Sequence, residues 1–189
     1  MTIQYLQRPD KPKLAFHMTE AGEKGKNLPT VVFLGGFRSD MDGTKATYLE
    51  SQAITREQAY LRLDYSGHGQ SGGEFTDGCI GDWAQDALDV IESQTQGPLI
   101  LVGSSMGGWI AFLLAVKLSN RVKALIGLAA APDFTREFIE QFSPAQRADI
   151  NTNGYVDLSN DYSDEPYRIT KRLLDDGEAQ CFLDILQKF

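Results

Sequence analysis

The 189-residue sequence contains only two cysteines and two histidines, and it has fewer basic than acidic residues. Cys79 and Cys181 lie far apart and show no metal-site spacing, which argues against disulfide or metal scaffolds and favours a reducing compartment. The 18 Lys and Arg residues stand against 26 Asp and Glu residues, which gives a formal net charge of -8. That charge repels phosphate backbones and anionic lipids, so nucleic acid is not an expected partner.

The sequence also lacks an apolar run long enough to span a membrane, and its first 16 residues contain no signal-peptide core. We therefore expect a soluble, cytoplasmic protein without a membrane span. The length and the 42% hydrophobic content are those of one globular domain over residues 1–189. The sequence does not determine the oligomeric state.

Strand and helix patterns alternate along the chain. A hairpin is predicted from residues 3–7 and 14–19, and continuous apolar runs typical of buried parallel strands follow at 30–34, 60–63, 99–102 and 122–128. Helical spacing of apolar residues is found at 77–94, 109–118, 134–142 and 181–189. This alternation predicts a doubly wound, mostly parallel α/β sheet with three αβα layers.

Residues 143–176 break the alternation, because they are polar, acidic and rich in turn-forming residues and contain no buried-strand run. We expect this segment to be a lid-like excursion over one edge of the sheet. Its aromatic residues suggest an apolar substrate pocket.

One short motif points to nucleophilic chemistry. Gly103-Ser104-Ser105-Met106-Gly107 fits the pattern G-x-S-x-G, and it stands between the apolar run 99–102 and the helical run 109–118. The pattern alone is common, and a tight strand-to-helix turn with packing glycines would also produce it. Because strand, turn and buried helix follow in order, we favour a nucleophile elbow with Ser105 as the nucleophile.

A second glycine-rich turn follows the run 30–34. Gly35-Gly36-Phe37 can direct the Phe37 N–H, together with the Met106 N–H, at a substrate carbonyl oxygen. Phe37 and Met106 are therefore the candidate backbone donors of an oxyanion hole. Taken by itself, the loop is equally well explained as a plain turn between a strand and a helix.

Five sequence blocks together resemble the α/β-hydrolase superfamily, and within it the mitochondrial palmitoyl-protein thioesterase-like branch and its bacterial relatives. The blocks are residues 33–37 (FLGGF), 40–46 (DMDGTKA), 64–71 (DYSGHGQS), 101–109 (LVGSSMGGW) and 125–129 (LIGLA). The resemblance implies a hydrolase of small-molecule or acyl-protein esters or thioesters that works through an acyl-Ser105 intermediate. It implies no metal and no organic cofactor.

The sequence departs from the superfamily pattern in its histidines. The superfamily order is Ser, then an acid, then His, but His17 and His68 both precede Ser105. We therefore expect a fold that stops after the sixth strand and the lid, and a chain of very low activity. Three hypotheses about the function of the chain stay open. It is a fragment of a longer serine hydrolase, or it is a non-catalytic binding module that retains the fold. In the third hypothesis, His68 or a histidine of another subunit completes the site.

Four further residues are interpreted separately. His68 follows the run 60–63, where a structural or substrate-lining role is favoured over a replacement base. Asp133 is a candidate triad acid, although an N-cap of the helix 134–142 is favoured. Asp64 is expected to fix its loop through backbone N–H groups. His17 is expected on the surface or on a sheet face.

Overall fold

The computed structural model describes residues 2–158 and 166–182. The main sheet contains the strands β1 (Gln4–Arg8), β2 (Lys11–Thr19), β3 (Thr30–Leu34), β4 (Tyr60–Leu63), β5 (Leu99–Ser104) and β6 (Val122–Leu128). The helices are α1 (Thr44–Thr55), α2 (Ile80–Gln94), α3 (Met106–Lys117), α4 (Phe134–Gln141), α5 (Pro144–Asn153) and α6 (Lys171–Ala179). A separate two-stranded ribbon consists of β7 (Tyr155–Leu158) and β8 (Tyr167–Thr170).

The strand order of the main sheet is β1-β2-β4-β3-β5-β6. β1 and β2 form an antiparallel hairpin, β2 pairs antiparallel with β4, and the remaining pairs are parallel. The carboxyl ends of β3, β4, β5 and β6 therefore meet at one edge of the sheet. In an open α/β sheet this edge is where ligands bind.

Helices cover both faces of the sheet, as the alternation of side chains along the strands requires. Val32 and Leu34 of β3 pack with α2 and α3, whereas Phe33 between them packs with α1. β5 alternates in the same way, so that Leu101 faces α2 and α3 and Val102 faces α1. The predicted mostly parallel sheet with three αβα layers is confirmed.

The predicted strands are found, with small changes at their ends. The runs 30–34, 60–63 and 122–128 coincide with β3, β4 and β6, and β5 extends two residues beyond the predicted run. The hairpin is present, and its second strand begins earlier than predicted, at Lys11. The N-terminal hairpin tolerates Pro12 because Pro12 precedes the residues of β2 that pair with β4.

Two predicted helices begin at other residues than expected. The helix predicted over 77–94 begins at Ile80, because Phe75–Asp77 forms a 3-10 turn and Gly78 and Cys79 are extended. A Cβ at Gly78 would lie 2.5 Å from the Trp83 Nε1, so that only glycine allows this approach. The helix predicted over 109–118 begins at Met106, directly after Ser105.

The segment from α4 to α6, which we call the cap, lies against the carboxyl edge of the sheet. It contains two regular strands and the helices α5 and α6, none of which the polar sequence predicted. α6 is fixed to the α2 terminus, since the Asp176 carboxylate accepts from the Gly81 N–H at 2.7 Å and Arg172 pairs with Asp82 at 2.7 Å. Most of the helix predicted over 181–189 lies outside the described residues. Within them, no helix is long and apolar enough to cross a membrane.

Candidate active site

Ser105 has an unusual backbone conformation at the turn between β5 and α3. Its φ is 53° and its ψ is -121°, a region that residues with a side chain rarely occupy. Three backbone hydrogen bonds hold it there. The Ser105 N–H donates to the Leu128 carbonyl at 3.1 Å, and the Ser105 carbonyl accepts from Gly108 at 2.8 Å and from Ala131 at 3.2 Å. The surrounding structure thus determines a strained conformation, as a nucleophile elbow requires.

Two glycines make this turn sterically possible. A Cβ at Gly103 would lie 2.2 Å from the Gly107 carbonyl oxygen, and a Cβ at Gly107 would lie 2.1 Å from the Leu34 carbonyl oxygen. Any side chain at either position would meet backbone that cannot move away easily. The small residues of G-x-S-x-G therefore let β5, α3 and the end of β3 approach one another closely.

The Ser105 side chain is half-buried at the N-terminus of α3. The first N–H groups of a helix have no acceptor within the helix, and the helix dipole favours negative charge at this end. The Met106 N–H is the first of these groups. An anion that develops next to Ser105 would therefore be stabilised by this terminus.

The loop after β3, residues 35–41, passes directly beside Ser105. A Cβ built on Gly36 would lie 3.4 Å from the Ser105 Cβ. Phe37 follows, and within residues 2–158 and 166–182 its N–H has no hydrogen-bond acceptor. Both candidate donors, Phe37 and Met106, thus belong to backbone that adjoins the nucleophile, as expected from the sequence.

Side chains of β4 and of the loop after it hold the far end of this loop. The Arg62 guanidinium donates to the Met41 carbonyl at 2.9 Å, and the Asp64 Oδ1 accepts from the Met41 N–H at 2.6 Å. The Asp64 Oδ2 also accepts from the Gln70 N–H at 2.8 Å, which confirms that Asp64 fixes loop backbone. Burial raises the pKa of Asp64 to about 6 despite these two hydrogen bonds.

The Phe37 ring connects the loop to the cap. It lies edge-on to Phe75, at 4.9 Å between ring centroids, and to Phe134 of α4, at 5.5 Å. Tyr167 of β8 lies 6.0 Å from it. Edge-to-face rings at these distances attract one another, so the cap helps to fix Phe37, the residue with the candidate donor N–H.

His68 is buried and both of its ring nitrogens have partners. The Nε2 accepts from the Arg38 N–H at 3.3 Å, and the Nδ1 lies 3.1 Å from the Ser66 carbonyl oxygen, to which it donates in this tautomer. Burial lowers the pKa of His68 to about 4. The rings of Tyr65, Phe75 and Trp83 surround it. A neutral histidine whose two nitrogens are engaged is poorly suited to accept the Ser105 proton, which favours a structural role.

Asp133 lies at the predicted N-cap position of α4, but its side chain does not cap the helix. It is the N-terminal cap residue of α4, with a left-handed φ of 58°, yet its side chain makes no capping hydrogen bond. Instead its carboxylate accepts from the Phe182 N–H at 2.7 Å and from the Cys181 thiol at 3.3 Å. The prediction that the Asp133 side chain caps α4 is therefore wrong. Its buried carboxylate binds Cys181 and Phe182, which follow α6.

Sequence reasoning missed Lys45, whereas His17 lies on a sheet face, which is one of its two predicted positions. The Lys45 Nζ donates to the Ser104 Oγ at 3.1 Å, next to Ser105. The available signal was a cation in the first turn of α1, where the helix dipole disfavours it. His17 is buried on the sheet face of β2, and its Nδ1 lies 2.8 Å from the Glu50 Oε1 without making a hydrogen bond.

The site thus joins Ser105, the Phe37 and Met106 N–H groups, and the Lys45 ammonium by way of Ser104. No described residue makes a hydrogen bond with the Ser105 Oγ. No group of three His, Cys, Asp or Glu side chains in the described ranges has the geometry of a metal site. The arrangement presents the Ser105 hydroxyl at a helix N-terminus, where free N–H groups can stabilise an anion.

Comparison with known proteins yields one family. A family model described as the alpha/beta hydrolase fold matches residues 29–169. The palmitoyl-protein thioesterase ABHD10, mitochondrial, of Bos taurus is 37% identical over 183 residues, which is 96% of this chain and 58% of the relative. The human protein of the same name is 34% identical with the same coverage. The chain thus spans 58% of the length of these curated relatives.

Solved structures agree with this result. The mouse alpha/beta hydrolase domain-containing protein 10 superimposes with a TM-score of 0.85 and 31% identity, over 97% of this chain and 72% of the other. A bacterial protein from Agrobacterium vitis S4 has a TM-score of 0.87 and 38% identity, over 96% and 73%. The predicted cytoplasmic location is wrong on this comparison, since the mammalian relatives are named as mitochondrial proteins.

Proposed function

Because the chain belongs to the alpha/beta hydrolase fold family, we propose that Ser105 is the nucleophile of an ester or thioester hydrolysis. The observation that carries the proposal is the φ of 53° at Ser105, held by three backbone hydrogen bonds between β5, β6 and α3. Residues in strained backbone conformations are concentrated at active sites and ligand-binding sites. The names of the mammalian relatives favour long-chain thioesters as substrates.

The proposed reaction proceeds in two steps. The Ser105 Oγ attacks the carbonyl carbon, the bond from that carbon to the leaving sulfur or oxygen breaks, and the hydroxyl proton ends on the leaving thiol or alcohol. Water then attacks the carbonyl carbon of the acyl-Ser105 ester, the bond from that carbon to the Ser105 Oγ breaks, and one proton of the water returns to this oxygen as the carboxylic acid leaves. In both steps the carbonyl oxygen becomes negative, and the Phe37 and Met106 N–H groups stabilise it.

The base that takes the Ser105 proton is not assigned to any described residue, since none of them makes a hydrogen bond with the Ser105 Oγ. His68 and Asp133 remain the weaker candidates for base and acid, because each already serves another contact. Removal of one member of a triad typically leaves the catalysis of the oxyanion hole and of binding. We therefore expect formation of acyl-Ser105 to be slow in this chain.

A second candidate function is a binding module that holds an acyl ligand in the crevice without cleaving it. It is favoured by the engagement of both histidines, His68 with two backbone groups and His17 next to Glu50. Under this alternative Ser105 would have no reactivity beyond that of an ordinary serine.

Acyl transfer from an activated thioester distinguishes the two functions. We expect mass spectrometry to find one added acyl group per chain after incubation with an acyl thionitrobenzoate, and peptide mapping to place it on Ser105. The Ser105→Ala variant should remain unmodified, whereas the control Ser51→Ala, at an exposed serine of α1, should still acquire the group. Tight binding of the thioester with no acyl transfer would favour the binding module.

A further inference from the structure

The loop beside Ser105 contains a turn with an unfavourable residue in it. The Ser39 N–H donates to the Gly36 carbonyl at 3.1 Å, which closes a four-residue turn with Phe37 and Arg38 in its centre. The φ of Arg38 is 55°, whereas Phe37 is not among the described residues with a positive φ. This combination is that of a type II turn, whose third position normally requires glycine or asparagine.

Such a turn differs from the commoner type I by a rotation of its central peptide. Here that peptide joins Phe37 and Arg38, and its N–H is the group that donates to the His68 Nε2 at 3.3 Å. Rotation of the peptide would direct the Phe37 carbonyl oxygen, instead of an N–H, at the Nε2 lone pair. The His68 acceptor therefore selects the orientation that is strained at Arg38.

His68 is itself held so that only one tautomer satisfies its surroundings. Its Nδ1 donates to the Ser66 carbonyl, which leaves the lone pair on the Nε2. The rings of Tyr65, Phe75 and Trp83 prevent its ring from turning, with centroid distances of 5.4, 5.2 and 5.0 Å. Because the His68 Nε2 is held in place, it can also hold the peptide between Phe37 and Arg38.

We infer that His68 is a positioning residue of the oxyanion hole, because its Nε2 holds the central peptide of the turn and so fixes the loop that contains the Phe37 N–H beside Ser105. The inference rests on the proposed function, in which this N–H stabilises the oxyanion. His68 acts through Phe37 and does not touch the substrate. A residue with a purely structural role would affect the stability of the fold without a specific effect on the reactivity of Ser105.

Two substitutions separate these roles. In His68→Gln the side-chain Oε1 can reach the position of the Nε2 and accept from Arg38. In His68→Asn the shorter amide can still donate to Ser66 but leaves the Arg38 N–H without its acceptor. Both variants lose the ring. His17→Gln is the matched control, since it removes the other buried histidine. His17 lies next to Glu50 of α1, on the other face of the sheet from His68.

The test measures the second-order rate constant of Ser105 modification by an alkyl fluorophosphonate, together with the urea midpoint of each variant. We expect His68→Asn to react about tenfold more slowly than wild type and His68→Gln within about threefold of it. His17→Gln should react like wild type. Equal rate constants for His68→Asn and His68→Gln would overturn the inference, as would losses that follow stability alone.

A second readout does not depend on reactivity. We expect hydrogen exchange of the Arg38 amide to be slow in wild type and in His68→Gln, and about tenfold faster in His68→Asn. Equal protection of this amide in all three proteins would overturn the inference. If wild type does not react with the fluorophosphonate, the proposed function fails for this chain, and the exchange of the Arg38 amide still decides whether His68 holds the turn.

Discussion

Gly107 faces the Leu34 carbonyl oxygen so closely that a Cβ on Gly107 would lie 2.1 Å from that oxygen. The contact joins the first turn of α3 to the end of β3, and it therefore positions Ser105 relative to the loop that contains Phe37. Neither partner can move without loss of sheet or helix hydrogen bonds. The distance between the proposed nucleophile and the proposed oxyanion donor thus depends on the absence of one methyl group.

Gly107→Ala tests this packing directly. We expect the substitution to lower the free energy of unfolding by about 3 kcal/mol or more, because the new Cβ meets backbone that cannot yield easily. Gly35→Ala is the control, since a Cβ there would have only the Ser39 Cβ at 4.0 Å. Urea denaturation of both variants measures the effect. Similar stability of the two variants would contradict the geometry of the turn.

Asp133 offers a test of the contact between α4 and the chain after α6. Asp133→Asn keeps an oxygen that can accept from the Phe182 N–H, and asparagine tolerates the left-handed φ of 58°. Asp133→Ala loses the acceptor and leaves a buried donor. We expect thermal and urea denaturation to show a loss of about 2 kcal/mol for alanine and less than about half of that for asparagine.

One result would contradict the role of Asp133 as a hydrogen-bond acceptor. Equal losses for alanine and asparagine would mean that the negative charge of Asp133, and not its hydrogen-bond acceptor, stabilises this end of the cap. In that case the hydrogen bond to Phe182 would contribute little.

The burial of His68 predicts a pH dependence of stability. Its pKa is about 4 in the folded protein and about 6.5 in the unfolded chain. Between these values the unfolded chain binds more protons, so the contribution of neutral His68 is complete above pH 6.5 and is lost as the pH falls toward 4. The charged groups that act on the ring are Asp86, which favours its protonation, and Arg38, which opposes it.

Asp64 has the opposite dependence in nearly the same range. Burial raises its folded pKa to about 6, so its contribution is complete below about pH 4 and is lost as the pH rises through 6. In wild type the pH dependences of His68 and Asp64 therefore oppose each other and partly cancel. The difference in stability between wild type and a His68 variant isolates the effect of His68.

We expect the unfolding free energy of wild type minus that of His68→Gln to increase by on the order of 3 kcal/mol from pH 4 to pH 6.5. Chemical denaturation at half-unit steps of pH measures it. Ser104→Ala changes no titratable group, and its difference from wild type should stay constant. A difference for His68→Gln that does not change with pH would show that His68 titrates normally in the folded protein.

The sequence predicts best what short-range patterns encode. The apolar runs locate β3, β4 and β6 to the residue, because runs of β-branched and other apolar residues this short favour a strand, even where Arg62 interrupts β4 and Lys123 interrupts β6. The elbow follows from two glycines that flank Ser105 at fixed spacing. The oxyanion loop follows from its position after a strand, although a glycine-rich turn has no specific signal of its own.

Contacts between distant segments could not be predicted in this way. Nothing in the motif Asp64-Tyr65-Ser66-Gly67-His68 indicates that a ring nitrogen of His68 meets the Arg38 N–H, 30 residues earlier. The carboxylate of Asp133 stands at a good capping position, but a partner 49 residues later takes it. The part of the cap after α4 was assigned no regular structure because its strands and helices are short, and an apolar pattern over so few residues does not distinguish a helix from a strand.

A crystal structure of the protein after reaction with an alkyl fluorophosphonate tests the proposed site most directly. The proposal predicts phosphorus bonded to the Ser105 Oγ and a phosphonyl oxygen within about 3 Å of both the Phe37 and the Met106 nitrogen atoms. Phosphorus on any other residue, or on Ser105 with its phosphonyl oxygen turned away from both nitrogen atoms, would contradict it.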